Sequence, residues 1–160
     1  MCCMTQKYVY RSTVTIGDTN LLQNMYFVNH FKLTGAAREL WVREHVPGAV
    51  EAMRQGLVLI TREAGCLYHK DFYLYDPIRL ELWFENAQHA SIDIRFAFYH
   101  DVTNELHAEA KQKIVFAGPD HKVCRIPELF RSASAPFTAV VADLSASEAE
   151  LVAAPDGGDQ

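Results

Sequence analysis

Two polar residues near the start of the chain, Asn20 and Arg38, have side chains that could each take part in a reaction. Asn20 ends the turn sequence GDTN, and its amide can donate and accept hydrogen bonds but cannot act as a carboxylate base or nucleophile. Arg38 carries a permanent charge on a planar fork that suits a carboxylate, a β-keto oxygen or a developing oxyanion. Arg38 is thus a candidate for stabilising negative charge, and Asn20 is a candidate for holding a water or a carbonyl group.

Each candidate also has a purely structural interpretation. Asn20 could simply cap the turn or the helix that follows, and Arg38 could form a salt bridge with a neighbour such as Glu63. His30 could be a general base with an unperturbed pKa of about 6.5, or a packed residue with one satisfied nitrogen. Glu63 is the fallback general base, or else the partner of Arg62 or Arg38.

These residues must be positioned by a strand, a turn and a helix. A β-rich run from Tyr8 to Ile16 stops at the GDTN turn, and apolar residues then recur at helical spacing from about Asn24 to His45. The start of such a helix presents unpaired backbone N–H groups and a partial positive charge. That arrangement can receive a developing oxyanion.

The middle of the chain predicts a run of strands separated by turn residues. The predicted strands in this part are 57–69, 78–86, 92–99 and 107–116. Together with the first strand and a short one at 122–125, they make about six. The last three breaks are short enough for hairpins, so these strands should pair antiparallel. Shorter helices are expected at 48–54 and 127–132. A long helix followed by a strand meander predicts an α+β fold in which a curved antiparallel sheet wraps a central helix.

The motifs GDTN, NMYF and AAREL, with the later stretch GLVLITREAGCLYHKDFYLYDPIRLEL, resemble single-domain hotdog-fold thioesterases over about residues 8–130. The resemblance is to the enediyne polyketide type, which is similar to the 4-hydroxybenzoyl-CoA thioesterase group but has Asn, here Asn20, in place of its catalytic Asp. It implies that Arg38 shares the site with Asn20, and that the backbone N–H near Phe27 is the oxyanion donor. His30 stands where relatives commonly carry Tyr.

The resemblance also implies an activity and partners. The expected reaction is hydrolysis of a β-ketoacyl thioester carried by the acyl carrier protein domain of an iterative polyketide synthase, with release of a β-keto acid that can lose CO2 to give a methyl ketone. Tyr26 and Tyr68 are expected to contact the substrate. The alternatives are a general acyl-CoA thioesterase, a hotdog dehydratase that uses His30, and a non-catalytic acyl-binding protein in which Asn20 is only a cap.

Composition limits the other classes of function. The chain has 160 residues, 49% of them apolar, which suits one domain with a substantial core. It has no apolar run long enough to span a membrane, and its first residues lack the features of a secretory signal. Both observations predict a cytoplasmic protein. Neither the four cysteines nor the seven histidines have metal-ligand spacing, so neither a metal nor another cofactor is expected.

The negative charge is concentrated at one end of the chain. Residues 136–160 hold five acidic residues and no Lys or Arg, which accounts for the net charge of −5. We therefore expect a folded domain at 1–135 and a largely disordered acidic tail at 136–160. The neutral domain has no basic stripe for nucleic acid. Because edge strands must be covered or paired, and because the resembling family dimerises edge to edge, we expect a dimer of dimers.

Overall fold

The computed structural model describes residues 5–139, which form a five-stranded sheet and one long helix. The strands are β1 (Tyr8–Thr13), β2 (Val58–Tyr68), β3 (Pro77–Glu85), β4 (Ser91–His100) and β5 (Leu106–Ala117), and the helices are α1 (Asn29–His45), α2 (Ala49–Arg54) and α3 (Glu128–Ser134). Short 3-10 turns lie at Ile16–Asp18 and Ala135–Phe137. The predicted α+β class is confirmed.

The sheet is antiparallel throughout and has the strand order β1-β3-β4-β5-β2. Strands β3, β4 and β5 are neighbours in sequence and in space, as the short breaks between them predict. The two N-terminal strands lie at the edges, since β1 pairs with β3 and β2 pairs with β5. Strand β2 is therefore an 11-residue edge on which most side chains are exposed, including Ile60 and Leu67.

The core lies between α1 and the concave face of the sheet. Strand β3 shows how the sequence builds it, because every second residue from Ile78 to Phe84 is buried. Trp41 of α1, 2% exposed, packs its ring 4.6 Å from the ring of Phe84. Ala37, one turn earlier, is fully buried and leaves room for the sheet. The helix is thus held mainly by packing, as its Gly-Ala-Ala sequence requires.

The structure corrects two predicted boundaries. Residues 5–139 contain five strands, close to the predicted number of about six, because at 122–125 only Val123 forms a bridge, to Ala117. Helix α1 begins at Asn29 rather than near Asn24, because Asn24 and Met25 pair instead with the segment that precedes β3. The Met25 N–H donates to the carbonyl oxygen of Phe72 at 2.7 Å. A tertiary contact has overridden the local helical pattern.

The packed unit extends a few residues beyond the predicted boundary at 135. Phe137 is buried and its ring meets the ring of Trp41 edge-on at 5.9 Å. The N–H of Ala139 donates to the carbonyl of Phe84 at 2.9 Å, and the N–H of Gln6 donates to the carbonyl of Pro136 at 3.1 Å. The rest of the predicted tail, 140–160, lies outside the described residues.

Two features are absent from residues 5–139. No helix there is long and apolar enough to cross a membrane. No group of His, Cys, Asp or Glu side chains in this range is arranged to hold a metal ion.

Candidate active site

The loop between β1 and α1 is folded back on itself by the backbone of Asp18. The carbonyl oxygen of Asp18 accepts from the N–H of Tyr26 and from Nδ2 of Asn29, each at 2.8 Å. Thr19 and Met25 form an antiparallel bridge inside the loop. The Asp18 carboxylate accepts from the Thr15 hydroxyl at 2.6 Å, which holds the pKa of that carboxyl below its usual range. These contacts fix residues 26–28 directly before the helix.

Asn20 lies near the tip of this loop and is exposed. Its Oδ1 accepts from the N–H of Leu22 at 2.8 Å, and its carbonyl accepts from the N–H of Gln23 at 2.9 Å. Gln23 has a φ of +64°, which such a tight turn requires. No acceptor among residues 5–139 takes a hydrogen bond from Asn20 Nδ2. The amide oxygen thus holds the turn, as the capping interpretation predicts, while the amide N–H groups remain available to a ligand.

Phe27 presents its backbone N–H at the start of α1. Its carbonyl oxygen accepts from the Tyr68 hydroxyl at 3.1 Å and from His30 Nδ1 at 3.1 Å. Its own N–H has no acceptor within residues 5–139, and it lies where the helix dipole is positive. This is the geometry of an oxyanion donor. The structure therefore brings Phe27, His30 and Tyr68 together.

His30 is buried, with 4% of its surface exposed. Because Nδ1 faces the Phe27 carbonyl, that nitrogen carries the proton and donates. Nε2 is enclosed and has no partner among the described residues, with the rings of Tyr68 and Phe98 centred 4.8 and 5.0 Å away. Burial lowers the pKa of His30, which keeps the imidazole neutral. A neutral, enclosed ring holds the Phe27 carbonyl better than it would serve as a base to a substrate.

Burial of His30 predicts a pH-dependent stability. The pKa of its imidazole is lower in the folded chain than the unfolded value of about 6.5. The unfolded chain therefore binds more protons below that pH, and the free energy of unfolding should fall as the pH is lowered through about 6.5 towards the folded pKa. In urea titrations, His30→Phe should lose less stability on acidification than the wild type. The exposed His89→Gln serves as control, and an unchanged slope in His30→Phe would contradict the prediction.

Tyr26 and Tyr68 form an exposed aromatic wall beside this helix start. The ring of Tyr26 lies 4.7 Å from the ring of Phe27, and Tyr68 meets the opposite side of Phe27 edge-on at 6.4 Å. Burial, reinforced by a hydrogen bond with Cys66, raises the pKa of Tyr68 to about 12. Its hydroxyl therefore stays protonated near neutral pH and donates to Phe27.

Arg38 is a partly buried cation with neutral partners. Its Nη1 donates to Thr61 Oγ1 and to Gln112 Oε1, both at 3.1 Å. Burial lowers the pKa of the guanidinium, although the group remains charged near neutral pH. Within residues 5–139 no carboxylate lies within ion-pair distance of it, so the salt bridge considered for Glu63 is not formed. Glu63 is exposed in β2 opposite Lys113 and joins neither Arg38 nor Phe27.

Two cavities meet at Arg38. An inner apolar cleft of about 20 Å³, room for about one water molecule, lies between α1, α3 and the sheet. It is lined by side chains that include Trp41, Val42, Leu59, Ile94, Phe116 and Phe130. An outer, open groove of about 840 Å³ runs between α1, α2 and the start of β2. Arg38 borders both, so a molecule bound in the outer groove would lie beside its guanidinium.

Within a single chain, Arg38 contacts β2 at a different place from Phe27, His30 and Tyr68, which together form the Phe27 cluster. Arg38 contacts Thr61, whereas Phe27 contacts Tyr68, seven residues further along the strand. At a strand rise of 3.3 Å per residue, those two contacts are about 23 Å apart. The sequence-predicted site residues are therefore divided into two groups by the fold of a single chain.

A curved antiparallel sheet wrapped around a central helix is the hotdog fold. Solved structures of several thioesterases share it. The dynemicin thioesterase matches with a TM-score of 0.79 at 23% identity, over 85% of this chain and 100% of that one. A 1,4-dihydroxy-2-naphthoyl-CoA thioesterase from Synechocystis matches with a TM-score of 0.72 at 17% identity, over 88% and 98%. A gentisyl-coenzyme A thioesterase matches with a TM-score of 0.70 at 22% identity, over 79% and 99%.

The family follows from the sequence match. The chain belongs to the thioesterase-like superfamily, whose family model matches residues 14–140. No curated protein matches this chain.

Proposed function

We propose that the protein hydrolyses an acyl thioester, with water as the nucleophile. Water attacks the thioester carbonyl carbon, the carbonyl oxygen becomes an oxyanion, and the C–S bond then breaks to release a thiol and a carboxylic acid. The unpartnered N–H of Phe27 is the observation that carries this proposal, because it is a preorganised donor for that oxyanion. The Asn20 amide, free on its Nδ2 side, would orient the carbonyl or the water.

The substrate we propose is a β-ketoacyl chain on an acyl carrier protein of an iterative polyketide synthase. The outer groove of about 840 Å³ beside Arg38 is lined largely by apolar side chains and has room for a hydrocarbon chain. The Arg38 guanidinium at its border suits the β-oxygen, or the carboxylate that hydrolysis creates. The released β-keto acid can lose CO2 to give a methyl ketone. The dynemicin thioesterase, which is described with a bound polyene, supports this context for a chain of the same fold.

The complete site requires two subunits in this proposal. Strand β2 is a long exposed edge, and antiparallel pairing with β2 of a second copy would cover it. Antiparallel pairing runs the two β2 strands in opposite directions, so it would place Arg38 of one copy near Phe27 of the other. Within one chain the contacts of these two residues with β2 are about 23 Å apart. A further pairing of dimers into a tetramer, and a cytoplasmic location, remain part of the proposal.

A general acyl-CoA thioesterase is the second candidate. Two of the solved structures with this fold are described as thioesterases of coenzyme A esters. Arg43 and Arg54 line the outer groove and could contact the phosphates of such a donor. The two candidates differ in the thiol that carries the acyl chain.

The test is thiol release and product mass with matched donors. The wild-type protein is given the same long-chain β-ketoacyl group on an acyl carrier protein and on coenzyme A. We expect faster release from the carrier protein and a methyl ketone product. Faster release from coenzyme A would favour the second candidate. If neither donor releases thiol and the acyl chain nevertheless binds, the protein is an acyl-binding module and the hydrolase proposal is wrong.

A further inference from the structure

The guanidinium of Arg38 is held by an uncharged network that reaches across the core. Gln112, on the inward face of β5, accepts from Arg38 Nη1 at 3.1 Å and is 6% exposed. Its Nε2 donates to Thr34 Oγ1 at 2.9 Å, and Thr34 is completely buried. Arg38 and Thr34 lie four residues apart on α1, so one amide on the sheet bridges two successive positions on the same helix face.

The hydrogen bonds determine which way the Gln112 amide faces. Thr34 uses its only hydroxyl hydrogen to donate to the carbonyl of Phe31 at 2.8 Å, so its oxygen can only accept from Gln112. The amide nitrogen therefore faces Thr34, and the amide oxygen faces Arg38. Thr34 thus fixes the orientation of Gln112, and Gln112 fixes the position of the guanidinium.

The neutrality of this network has a consequence for the charge of Arg38. Side chains at positions 108, 110, 114 and 116 on the same face of β5 are apolar, so Gln112 is the single polar residue in that alternating series. A carboxylate of the same size at 112 would also reach Arg38, but it would cancel the charge. An amide holds the guanidinium in place and leaves its positive charge for a ligand.

We propose that Gln112 and Thr34 are positioning residues that hold the Arg38 guanidinium at the border of the outer groove without giving it an ion-pair partner. Their effect is specificity for acyl chains that carry a second oxygen, beyond the thioester carbonyl, within reach of Arg38. This inference rests on the proposed function, because it concerns the group that Arg38 would bind in the same site.

The test introduces the charge that the network avoids. In Gln112→Glu, the new carboxylate should pair with Arg38, and kcat/KM for a β-ketoacyl thioester should fall about 100-fold. For a saturated acyl chain of equal length on the same carrier, kcat/KM should change less than about threefold. The preference for the β-ketoacyl substrate should therefore disappear. Gln88→Glu, at an exposed position, makes the same change of charge and should leave both substrates unaffected.

A second variant, at Thr34, tests the same network. Thr34→Val removes the acceptor that orients Gln112, and it should lower the preference for the β-ketoacyl chain about 10-fold; it decides the matter if Gln112→Glu does not fold. A folded Gln112→Glu protein that retains the wild-type preference would overturn the inference. If the wild type releases thiol from no donor, the proposed function fails instead, so the two failures are distinguishable.

Discussion

Replacing Arg38 with alanine is expected to lower kcat/KM for a β-ketoacyl thioester by about 10²- to 10³-fold, the loss usual when one preorganised group that stabilises negative charge is removed. The effect should be large because the guanidinium is partly buried and has no carboxylate within ion-pair distance among the described residues, so its charge is only partly screened by water. The measurement is steady-state thiol release with the β-ketoacyl carrier-protein donor.

The stability of the Arg38→Ala variant shows whether a loss of activity comes from unfolding. Arg38→Ala leaves Gln112 Oε1 without its donor, which costs about 1–3 kcal/mol, while it also removes the cost of burying a charge. The protein should therefore stay folded in thermal melts. Lys32→Ala, on the same helix but with a side chain 74% exposed and lining neither cavity, is the matched control and should keep nearly full activity. Equal losses in the two variants would show that general helix charge, rather than the position of Arg38, matters.

Mixing two inactive variants should restore activity if the site is built by two subunits. In a heterodimer of Asn20→Ala and Arg38→Ala chains, one site would contain both changes and the other neither. Random reassociation makes about half of the dimers mixed, each with one intact site, so activity should return to about a quarter of the wild-type value. The separation of the Phe27 cluster from Arg38 along β2 is the structural reason for this expectation.

The matched experiment co-refolds each variant with itself and then the two together at equal total concentration. Self-mixtures should stay inactive. If the mixed sample is also inactive while native mass spectrometry shows heterodimers, then Asn20 and Arg38 act within one chain, and the two-subunit arrangement is wrong. If the protein proves monomeric at the concentration at which it is active, the arrangement is wrong as well.

The strands were predictable because period-two alternation reports directly on a face of a sheet. From Ile78 to Phe84 the apolar residues recur at every second position, and all of them are buried. The segment 122–125 lacked any such repeat, and there the structure has a single bridge. The start of α1 was placed too early because the hydrogen bond from Met25 to Phe72 joins residues 47 positions apart, which local periodicity does not report.

The residues of the candidate site also differ in how far the sequence predicts them. Asn20, Phe27 and Arg38 were identified because their side chains or positions suggest chemistry and because a resemblance linked them. Gln112 was missed, although it interrupts the apolar series of β5. An interrupted pattern indicates a buried polar side chain but not its partner, and Gln112 meets Arg38 across 74 residues of chain. Only the folded backbone reveals that contact.

The hydrogen bond between Gln6 and Pro136 has a practical consequence for engineering. It places the two ends of the described chain side by side, with donor and acceptor 3.1 Å apart. A short flexible linker could therefore join them, and new termini could be opened in the exposed 102–104 turn between β4 and β5. Such a circular permutant would keep β2 and its free edge uncut, and would move the attachment point of a fused carrier domain to a different end of the sheet.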